Sequence, residues 1–453
     1  MNSTAAEPLN PDDPALDKNL LANKEDEEEE TSNPMLWWTI GYLFLFIFRP
    51  YETLIPMLGI IHFERIYMIC LLVALFRWPE KRYIPHRINY VLLAFFGVLC
   101  FSYFIAYIPD KAEDIIWEYF KLLVLYFVII MSVRNEKEFW KLLLAFIVIM
   151  GLYIGKSEWE FFIGGRHVYR MGIKRLIGID DTNGSPNSFA ATIVYSLPFA
   201  WAMWKTAEIP RIRIGLFCYL VMALVGVALT GSRGGMLSVL FFFLLIWLRM
   251  KKKMIGLVLM VLIISVTWVF MGEKLQERFQ TIYDDKINAS ATESAQGRIE
   301  GLLRGVELFK LRPFFGWGAG NFPYATYEIG VTDGMQSHNM YGQVMGELGA
   351  AGSISVLAII AVLFLTRREV LSLYATADDN DEEDEGKEES ARKENLLALT
   401  AVACTDTVVL LLFQGIFGHN LYRYNWILIS AFLVLTSYFA WRREDIESAP
   451  HPD

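Results

Sequence analysis

Apolar stretches long enough to cross a lipid bilayer account for most of this 453-residue chain. A transmembrane helix needs roughly 17–25 mostly apolar residues. Such stretches occur near 35–49, 54–76, 88–107, 116–132, 138–155, 185–204, 211–229, 235–250, 254–271, 342–366, 397–417 and 425–441. Hydrophobic residues form 54% of the chain, above the ~45–50% of soluble domains. The sequence therefore predicts an all-α, polytopic transmembrane bundle of about twelve spans.

The second stretch is the weakest of the twelve, because His62, Glu64 and Arg65 interrupt it. Polar groups inside a membrane are costly, so its first half can instead lie in the interface.

Short basic loops predict the orientation, since Lys and Arg concentrate on the cytoplasmic side. They occur at 77–87, 205–213, 249–253, 367–368 and 442–443. Twelve spans place all five loops on one side. Both termini are then cytoplasmic, and the two long segments 156–184 and 272–341 lie on the outer side.

Two acidic segments carry much of the negative charge: the tail 1–34 with EDEEEE, and an insert at 374–396 with DDNDEEDEGKEE. Such polyanions favour disorder, and either a docking or a solubilising role remains open. We expect spans one to nine within 35–271, the outer loop at 272–341, spans ten to twelve within 342–441, and a cytoplasmic tail at 442–453. The four cysteines lie in apolar runs, which indicates neither a disulfide framework nor a metal cluster.

The predicted outer segment 156–184 is unusually basic, with Lys156, Arg166, Arg170, Lys174 and Arg175. Translocated loops usually avoid such residues. Either the segment faces an anion, or a loop of this length is partly exempt from the rule.

A tight turn, Thr230-Gly231-Ser232-Arg233-Gly234-Gly235, joins spans seven and eight on the outer side. Its glycines permit a sharp reversal, and Arg233 begins the following helix, where free N–H groups favour an anion. We interpret it as an anion site that suits a pyrophosphate; the alternative is that Arg233 only reaches the lipid headgroups.

The segment 297–322 predicts an amphipathic helix lying in the outer interface. Apolar Ile299, Leu302, Leu303, Val306 and Phe309 recur at helical spacing, opposite charged residues. The pattern ends at Arg312-Pro313, followed by the glycine-rich GWGAG. A plain surface connector would also explain the amphipathicity.

The outer loop re-enters the membrane at Ser337-His338-Asn339-Met340-Tyr341, with Glu347 shortly after. A lone histidine is usually structural, but neutral imidazole can accept a hydroxyl proton near neutral pH. Glu347 either orients that site or forms an ordinary cap or interhelical hydrogen bond.

Asp406 lies within span eleven, where a carboxylate is a candidate functional group although the sequence names no partner. The turn GHNLYR at 418–423 brings His419, Asn420 and Arg423 to the same outer face. No set of residues shows metal-ligand spacing, so we expect a metal-independent site.

Three motifs, taken in order, resemble motifs of the O-antigen ligase/polymerase-related membrane family. They are T-G-S-R-G-G, then G-R…L-R-P…G-x-G-x-G-x-F, then S-H-N…E-L-G. GSPNS at 184–188 is similar to that family's G-x-P-N element. The resemblance covers roughly 180–352.

The resemblance implies transfer of a glycan from a polyprenyl-pyrophosphate carrier, undecaprenyl pyrophosphate in bacteria, to a lipid or saccharide acceptor. The reaction would occur at the outer face of the bacterial inner membrane, in cell-surface polysaccharide or lipopolysaccharide synthesis, without nucleotide sugar, metal or cofactor. It assigns Arg233 and Arg298 to the donor pyrophosphate and His338 to the acceptor hydroxyl. The further candidate substrate-binding residues are Arg312, Arg166, Arg170, Arg175, Asn339 and Glu347.

Several rivals remain open. A ligase, a polymerase and a protein O-oligosaccharyltransferase share donor and chemistry. An anion transporter would also use arginines, but it would place them near the bilayer midplane on discontinuous helices. A scaffold acting through its acidic tails would not need the outer arginines, and we expect no nucleic-acid partner.

Overall fold

The computed structural model describes residues 32–170, 172–180, 184–254, 256–258, 261, 289–378 and 395–447. Within these ranges the regular structure is almost entirely helical, and the predicted all-α bundle is confirmed. The helices are α1 (Pro34–Phe48), α2 (Pro50–Thr53), α3 (Pro56–Ile60), α4 (Phe63–Arg77), α5 (Arg87–Ile105), α6 (Pro109–Ser132), α7 (Glu136–Trp159), α8 (Pro186–Thr206), α9 (Pro210–Thr230), α10 (Arg233–Arg249), α11 (Ala289–Leu311), α12 (Phe322–Ala325), α13 (Met340–Asp378), α14 (Asn395–Gly415) and α15 (Asn425–Glu447).

Short irregular elements complete the described chain. A π-helical turn, Glu160–Gly164, extends α7, and a 3₁₀ turn, Thr326–Ile329, follows α12. The antiparallel hairpin of β1 (Val168–Arg170) and β2 (Ile173–Arg175) pairs Tyr169 with Lys174.

Six helices among the described residues are long and apolar enough to cross a membrane. They are Arg87–Ile105, Pro109–Ser132, Glu136–Gly164, Pro210–Thr230, Met340–Tyr374 and Leu396–Gly415. The count of twelve spans stays a prediction. Most of the ninth predicted stretch, 254–271, lies outside the described residues, as do most of the acidic tail and most of the acidic insert.

The second apolar stretch is not one continuous helix. It is divided between α3 and α4, and α4 begins at Phe63 only after His62 adopts a left-handed backbone conformation with φ 51°. This break falls at the polar residues that interrupt the stretch in the sequence.

Loops predicted to share a side of the membrane contact one another. On the side predicted to be cytoplasmic, Arg443 pairs with Glu136 and Arg87 with Glu369. At the other end, the Tyr107 N–H donates to the Trp317 carbonyl at 2.9 Å. The loops therefore gather in two groups, in agreement with alternating helix directions.

Asp406, for which the sequence names no partner, forms a two-point ion pair with Arg249 at the end of α10. The pair supplies a structural reason for a carboxylate inside α14, because a charge away from water needs a partner.

Helices α8 and α15 form the centre of the bundle, since their side chains are buried along most of their lengths. Helix α14 packs against both. Its Thr407 hydroxyl donates to the Tyr195 carbonyl of α8 at 3.3 Å. This rigid centre carries the α14–α15 loop at the predicted outer end.

Helix α11 crosses α13 so closely that backbone meets backbone. A Cβ atom on Gly301 would overlap the Ser337 carbonyl oxygen, and one on Gly305 would overlap Gly342. The buried face of α11 is thus Gly301, Gly305 and Leu308, whereas the predicted apolar face leaves Ile299 and Leu303 exposed. That exposed face agrees with a helix whose apolar side meets the membrane interface.

We expect Gly301→Ala to destabilise the protein by at least about 1–3 kcal/mol, because the added methyl group forces the two backbones apart. The matched control is Gly297→Ala, one helical turn earlier, where an added Cβ meets nothing within 4 Å. It should stabilise α11 by about 0.5–1 kcal/mol, as Ala replaces Gly inside a helix. Apparent melting temperatures of the purified variants check both; equal shifts would contradict the crossing.

Candidate active site

The Thr230–Gly235 turn forms the tight reversal expected from its sequence. Gly231 ends α9 with φ 57°, and the Ser232 hydroxyl accepts the Gly235 N–H at 3.2 Å, capping α10. A Cβ on Gly235 would lie 2.6 Å from the Ala190 Cβ, so only glycine allows α10 to start this close to α8. Arg233 is the first residue of α10, where the helix dipole favours an anion.

Arg175 holds this turn in place through hydrogen bonds. It is buried, and its Nε donates to the Thr230 carbonyl at 2.7 Å while its Nη2 donates to Asn187 Oδ1 at 3.0 Å. The neighbouring Leu176 N–H donates to the Leu229 carbonyl at 3.0 Å. Arg175, predicted to bind substrate, therefore lies in the wall that fixes the turn, and Asn187 of the GSPNS segment is its partner.

Phe417 connects the start of α10 with Arg298 on α11. The Arg298 guanidinium carbon lies 5.4 Å from the centre of the Phe417 ring, and that ring lies against Gly234. Burial and then the positive charge of Arg233 lower the pKa of Arg298. The positive charges of Arg233 and Arg298, from distant parts of the sequence, thus oppose each other, and an anion bound near both would relieve that repulsion.

His338 is held by its two neighbours. The Ser337 hydroxyl donates to the Asn339 carbonyl at 2.7 Å, and Asn339 Oδ1 accepts the N–H groups of Tyr341 and Gly342 at 3.0 and 3.1 Å. Asn339, a predicted substrate-binding residue, is thereby the cap of α13. His338 between them has a left-handed backbone with φ 46°, a strained conformation that is often found at functional sites.

His338 faces a second histidine, His419 of the α14–α15 loop, with 5.7 Å between ring centres. His338 keeps an exposed surface, yet partial desolvation and then the nearby Arg298 lower its pKa. Burial, His338 and Arg423 lower the pKa of His419 to about 4. Both rings are therefore neutral at pH 7, beside the guanidinium groups of Arg298 and Arg423. The sequence placed His419 on this face, but only the fold shows that it lies against His338.

Glu347 is buried and hydrogen-bonds to groups from several elements near the site. Its carboxylate accepts the Tyr422 hydroxyl at 2.6 Å and the Gly320 N–H at 3.0 Å, and Gln343 Nε2 approaches it at 3.4 Å. It thereby ties α13 to the glycine-rich loop and to the loop that carries His419. These are hydrogen bonds between separate elements, as the second alternative for Glu347 expects, and a role in orienting His338 stays a prediction.

The glycine-rich loop packs against the break in α13 at Gly349, which has φ 60°. The Ala350 and Ala351 N–H groups donate to the Pro313 and Phe314 carbonyls at 2.8 and 2.9 Å. A Cβ on Gly316 would lie 2.5 Å from the Glu347 carbonyl carbon, so this approach requires glycine.

Arg312 contacts a different set of groups from Arg298. Its Nη1 donates to the Ile105 carbonyl at 3.1 Å, and its guanidinium carbon lies 3.9 Å from the centre of the Trp317 ring. These contacts attach the glycine-rich loop to the end of α5.

The remaining predicted residues lie in or before the β hairpin. Arg166 is half-buried, and its Nε has no hydrogen-bond partner among the residues that the structure describes. Arg170 lies in β1, but its side chain falls outside the described part.

These features define a multi-pass helical membrane protein with arginines and neutral histidines gathered at one end of its bundle. A family model described as O-antigen ligase matches residues 218–357, a region that holds Arg233, Arg298, Arg312, His338 and Glu347. The predicted resemblance to this family is thereby confirmed over the matched region. A comparison of the chain with curated proteins gave no match.

Proposed function

We propose that this protein is a membrane glycosyltransferase of the O-antigen ligase/polymerase type. It transfers a glycan from a polyprenyl-pyrophosphate carrier to the hydroxyl of a lipid or saccharide acceptor at the outer face of the cytoplasmic membrane. One observation carries the proposal: the Arg298 guanidinium lies over the ring of Phe417, which packs at Gly234 beside Arg233, and its charge lowers the pKa of His338, so two cations and a neutral base are gathered at one end of the bundle. The family match over this region supports the reaction class.

Arg233 and Arg298 bind the donor pyrophosphate. As the bond between the sugar C1 and the pyrophosphate oxygen breaks, negative charge accumulates on the leaving group. Guanidinium groups that the fold already brings near one another stabilise that charge with little reorganisation, and the start of α10 adds its N–H groups. We propose that these groups replace the metal ion that many phosphate sites use.

His338 accepts the proton of the acceptor hydroxyl while the hydroxyl oxygen forms its bond to C1. Direct attack from the side opposite the leaving group inverts the anomeric centre. A positioned general base typically contributes a factor of about 10²–10⁴ to the rate. Near pH 7 His419 stays uncharged, so it adds no positive charge next to His338 beyond that of Arg298.

The position of the arginines favours this chemistry over transport. Arg233 begins α10, Arg298 lies on a helix that packs on the start of α13, and His338 precedes α13. All three are at the end of the bundle, whereas a transporter would place its charges halfway along the helices. The polymerase and the protein O-oligosaccharyltransferase differ only in the acceptor.

A gene-deletion experiment tests the proposal. Cells without the gene should lose the surface glycan and accumulate its lipid-linked donor on the outer leaflet, where an added lectin binds it after the cell wall is opened. The full-length gene should reverse both effects. A donor that accumulates on the inner leaflet would indicate a transporter. An unchanged surface glycan would contradict the proposed transferase function.

The purified full-length protein in lipid nanodiscs gives a second measurement. With lipid-linked donor and acceptor extracted from the deletion strain, it should form the product at a rate that EDTA does not change. A rate that EDTA abolishes and added Mg²⁺ restores would refute the metal-independent mechanism.

A further inference from the structure

A polar cavity of about 310 Å³ lies where the second predicted span is interrupted. Its walls come from the end of α1, the short helices α2 and α3, the start of α4 and the middle of α6. Six charged side chains line it: Arg49, Arg65, Lys121, Glu52, Glu64 and Glu118. Its volume is at the lower end of the ~300–1,000 Å³ range of small-molecule sites.

The charges of this cavity balance, three basic against three acidic, and most of them are already paired. Arg49 contacts Glu52 at 2.8 Å, Lys121 contacts Glu118 at 2.6 Å, and the Tyr51 hydroxyl donates to Glu64 at 3.1 Å. A balanced set of charges has no net attraction for a pyrophosphate, unlike the arginine pair at the active site. It offers instead many hydrogen-bond donors and acceptors to a neutral ligand.

Three aromatic rings, Phe46, Tyr51 and Phe63, complete the walls. Planar guanidinium and carboxylate groups form two-point hydrogen bonds with neighbouring hydroxyls, and aromatic faces pack against flat apolar C–H surfaces. A sugar presents both kinds of surface, with hydroxyls around its edge and C–H groups on its faces. The lining therefore matches a saccharide better than an apolar or a strongly charged ligand.

The α14–α15 loop contacts both the cavity wall and the active site. The ring of Phe46, in the cavity wall, meets the ring of Tyr424 edge to face, with centres 5.6 Å apart. Tyr424 follows His419 by five residues, which span at most about 18 Å even when fully extended. A short oligosaccharide can bridge such a distance, with one end in the cavity and a hydroxyl near His338.

We propose that this cavity binds the acceptor, and that the acceptor is a saccharide whose end distant from the reacting hydroxyl lies between α1, α4 and α6. The inference rests on the proposed function and narrows it, because it disfavours a protein acceptor. It also gives a reason for His62, Glu64 and Arg65 in an otherwise apolar stretch. Charges placed there are costly without a role.

Steady-state transfer by the purified full-length protein tests the proposal. The probes are the lipid-linked donor and the acceptor glycan fraction, both extracted from cells that lack the gene. Glu64→Gln and Arg65→Ala should each raise the KM for the acceptor at least tenfold. They should change kcat and the KM for the donor less than twofold, since the arginine pair and His338 are untouched.

Arg77→Ala is the matched control, because Arg77 is exposed at the opposite end of the same helix as Arg65. It should leave all three constants unchanged, and similar melting temperatures will show that the variants fold. Unchanged acceptor KM in both cavity variants, or a loss confined to kcat or donor KM, would overturn the proposal. If wild-type protein gives no transfer with these extracts, the proposed function itself fails, which is a separate outcome.

An acceptor peptide tests the remaining alternative, in which the cavity binds a protein acceptor. If a serine-rich acceptor peptide is glycosylated by the wild type and loses that reactivity in Glu64→Gln, the cavity binds protein, and the saccharide assignment is wrong. If the peptide is not glycosylated while the glycan fraction is, the assignment stands.

Discussion

Replacing Arg298 by alanine should lower kcat for glycan transfer by at least about 100-fold, the usual loss when one fixed donor to a developing negative charge is removed. Arg298 is half-buried, lies over Phe417 and is near Arg233 and His338, so water replaces its charge only in part. Arg233→Ala should have a similar effect. The double variant should lose less than the product of the two losses, because both arginines act on one leaving group.

Arg304→Ala is the matched control on the same helix. Arg304 forms ion pairs with Glu300 and Asp333 at 3.2 and 2.7 Å near the surface, and such pairs typically contribute only about 0–1 kcal/mol. Transfer rates of the three single variants, compared at equal amounts of folded protein, check the prediction. If Arg298→Ala and Arg304→Ala transfer glycan at equal rates, Arg298 of α11 does not belong to the donor site.

Replacing His338 by glutamine should lower kcat by a factor of about 10²–10⁴, since glutamine keeps a polar side chain but cannot accept the proton. The KM for the donor should change little. His167→Gln is a suitable control, because His167 is a half-buried histidine that follows α7. If donor binding, measured with labelled donor, falls together with kcat, His338 holds the donor rather than activating the acceptor.

The pH dependence follows from the direction of the shift. Partial desolvation and the charge of Arg298 lower the pKa of His338, so its neutral, active form persists below the ordinary value of about 6.5. The rate should therefore stay level from pH 8 to below 6.5 and fall only at lower pH. In Arg298→Gln the weak residual rate should begin to fall at higher pH, because the nearby positive charge is gone. If the rate falls at the same pH in Arg298→Gln as in the wild type, the charge of Arg298 does not act on His338.

The sequence predicted the parts of the site that depend on local chemistry. A turn with Gly231 and Gly235 around Arg233 has few alternatives, and the structure contains it. The end of α11 near Arg312-Pro313 also follows from the residues, because proline cannot continue the hydrogen bonding of the preceding turns. These features depend on neighbours within a few positions.

Features that depend on distant contacts could not be predicted in the same way. Arg175 and Arg298 look alike in the sequence, yet one is bound to the Thr230 carbonyl and the other lies over Phe417. The glycines at 301 and 305 resemble weak points of a helix until α13 is seen to cross them. Residue type shows what a side chain is able to do, and the partner decides which use is made of it.

The crossing of α11 and α13 has a consequence for how the protein tolerates change. Because the two backbones touch at Gly301 and Gly342, the spacing between Arg298 and His338 is set directly, without any intervening side chain. The chain that joins the two helices does not determine that spacing. Insertions near the exposed Gly334 should therefore leave this crossing intact, so this connection is a place where a tag or a label can be added to the protein.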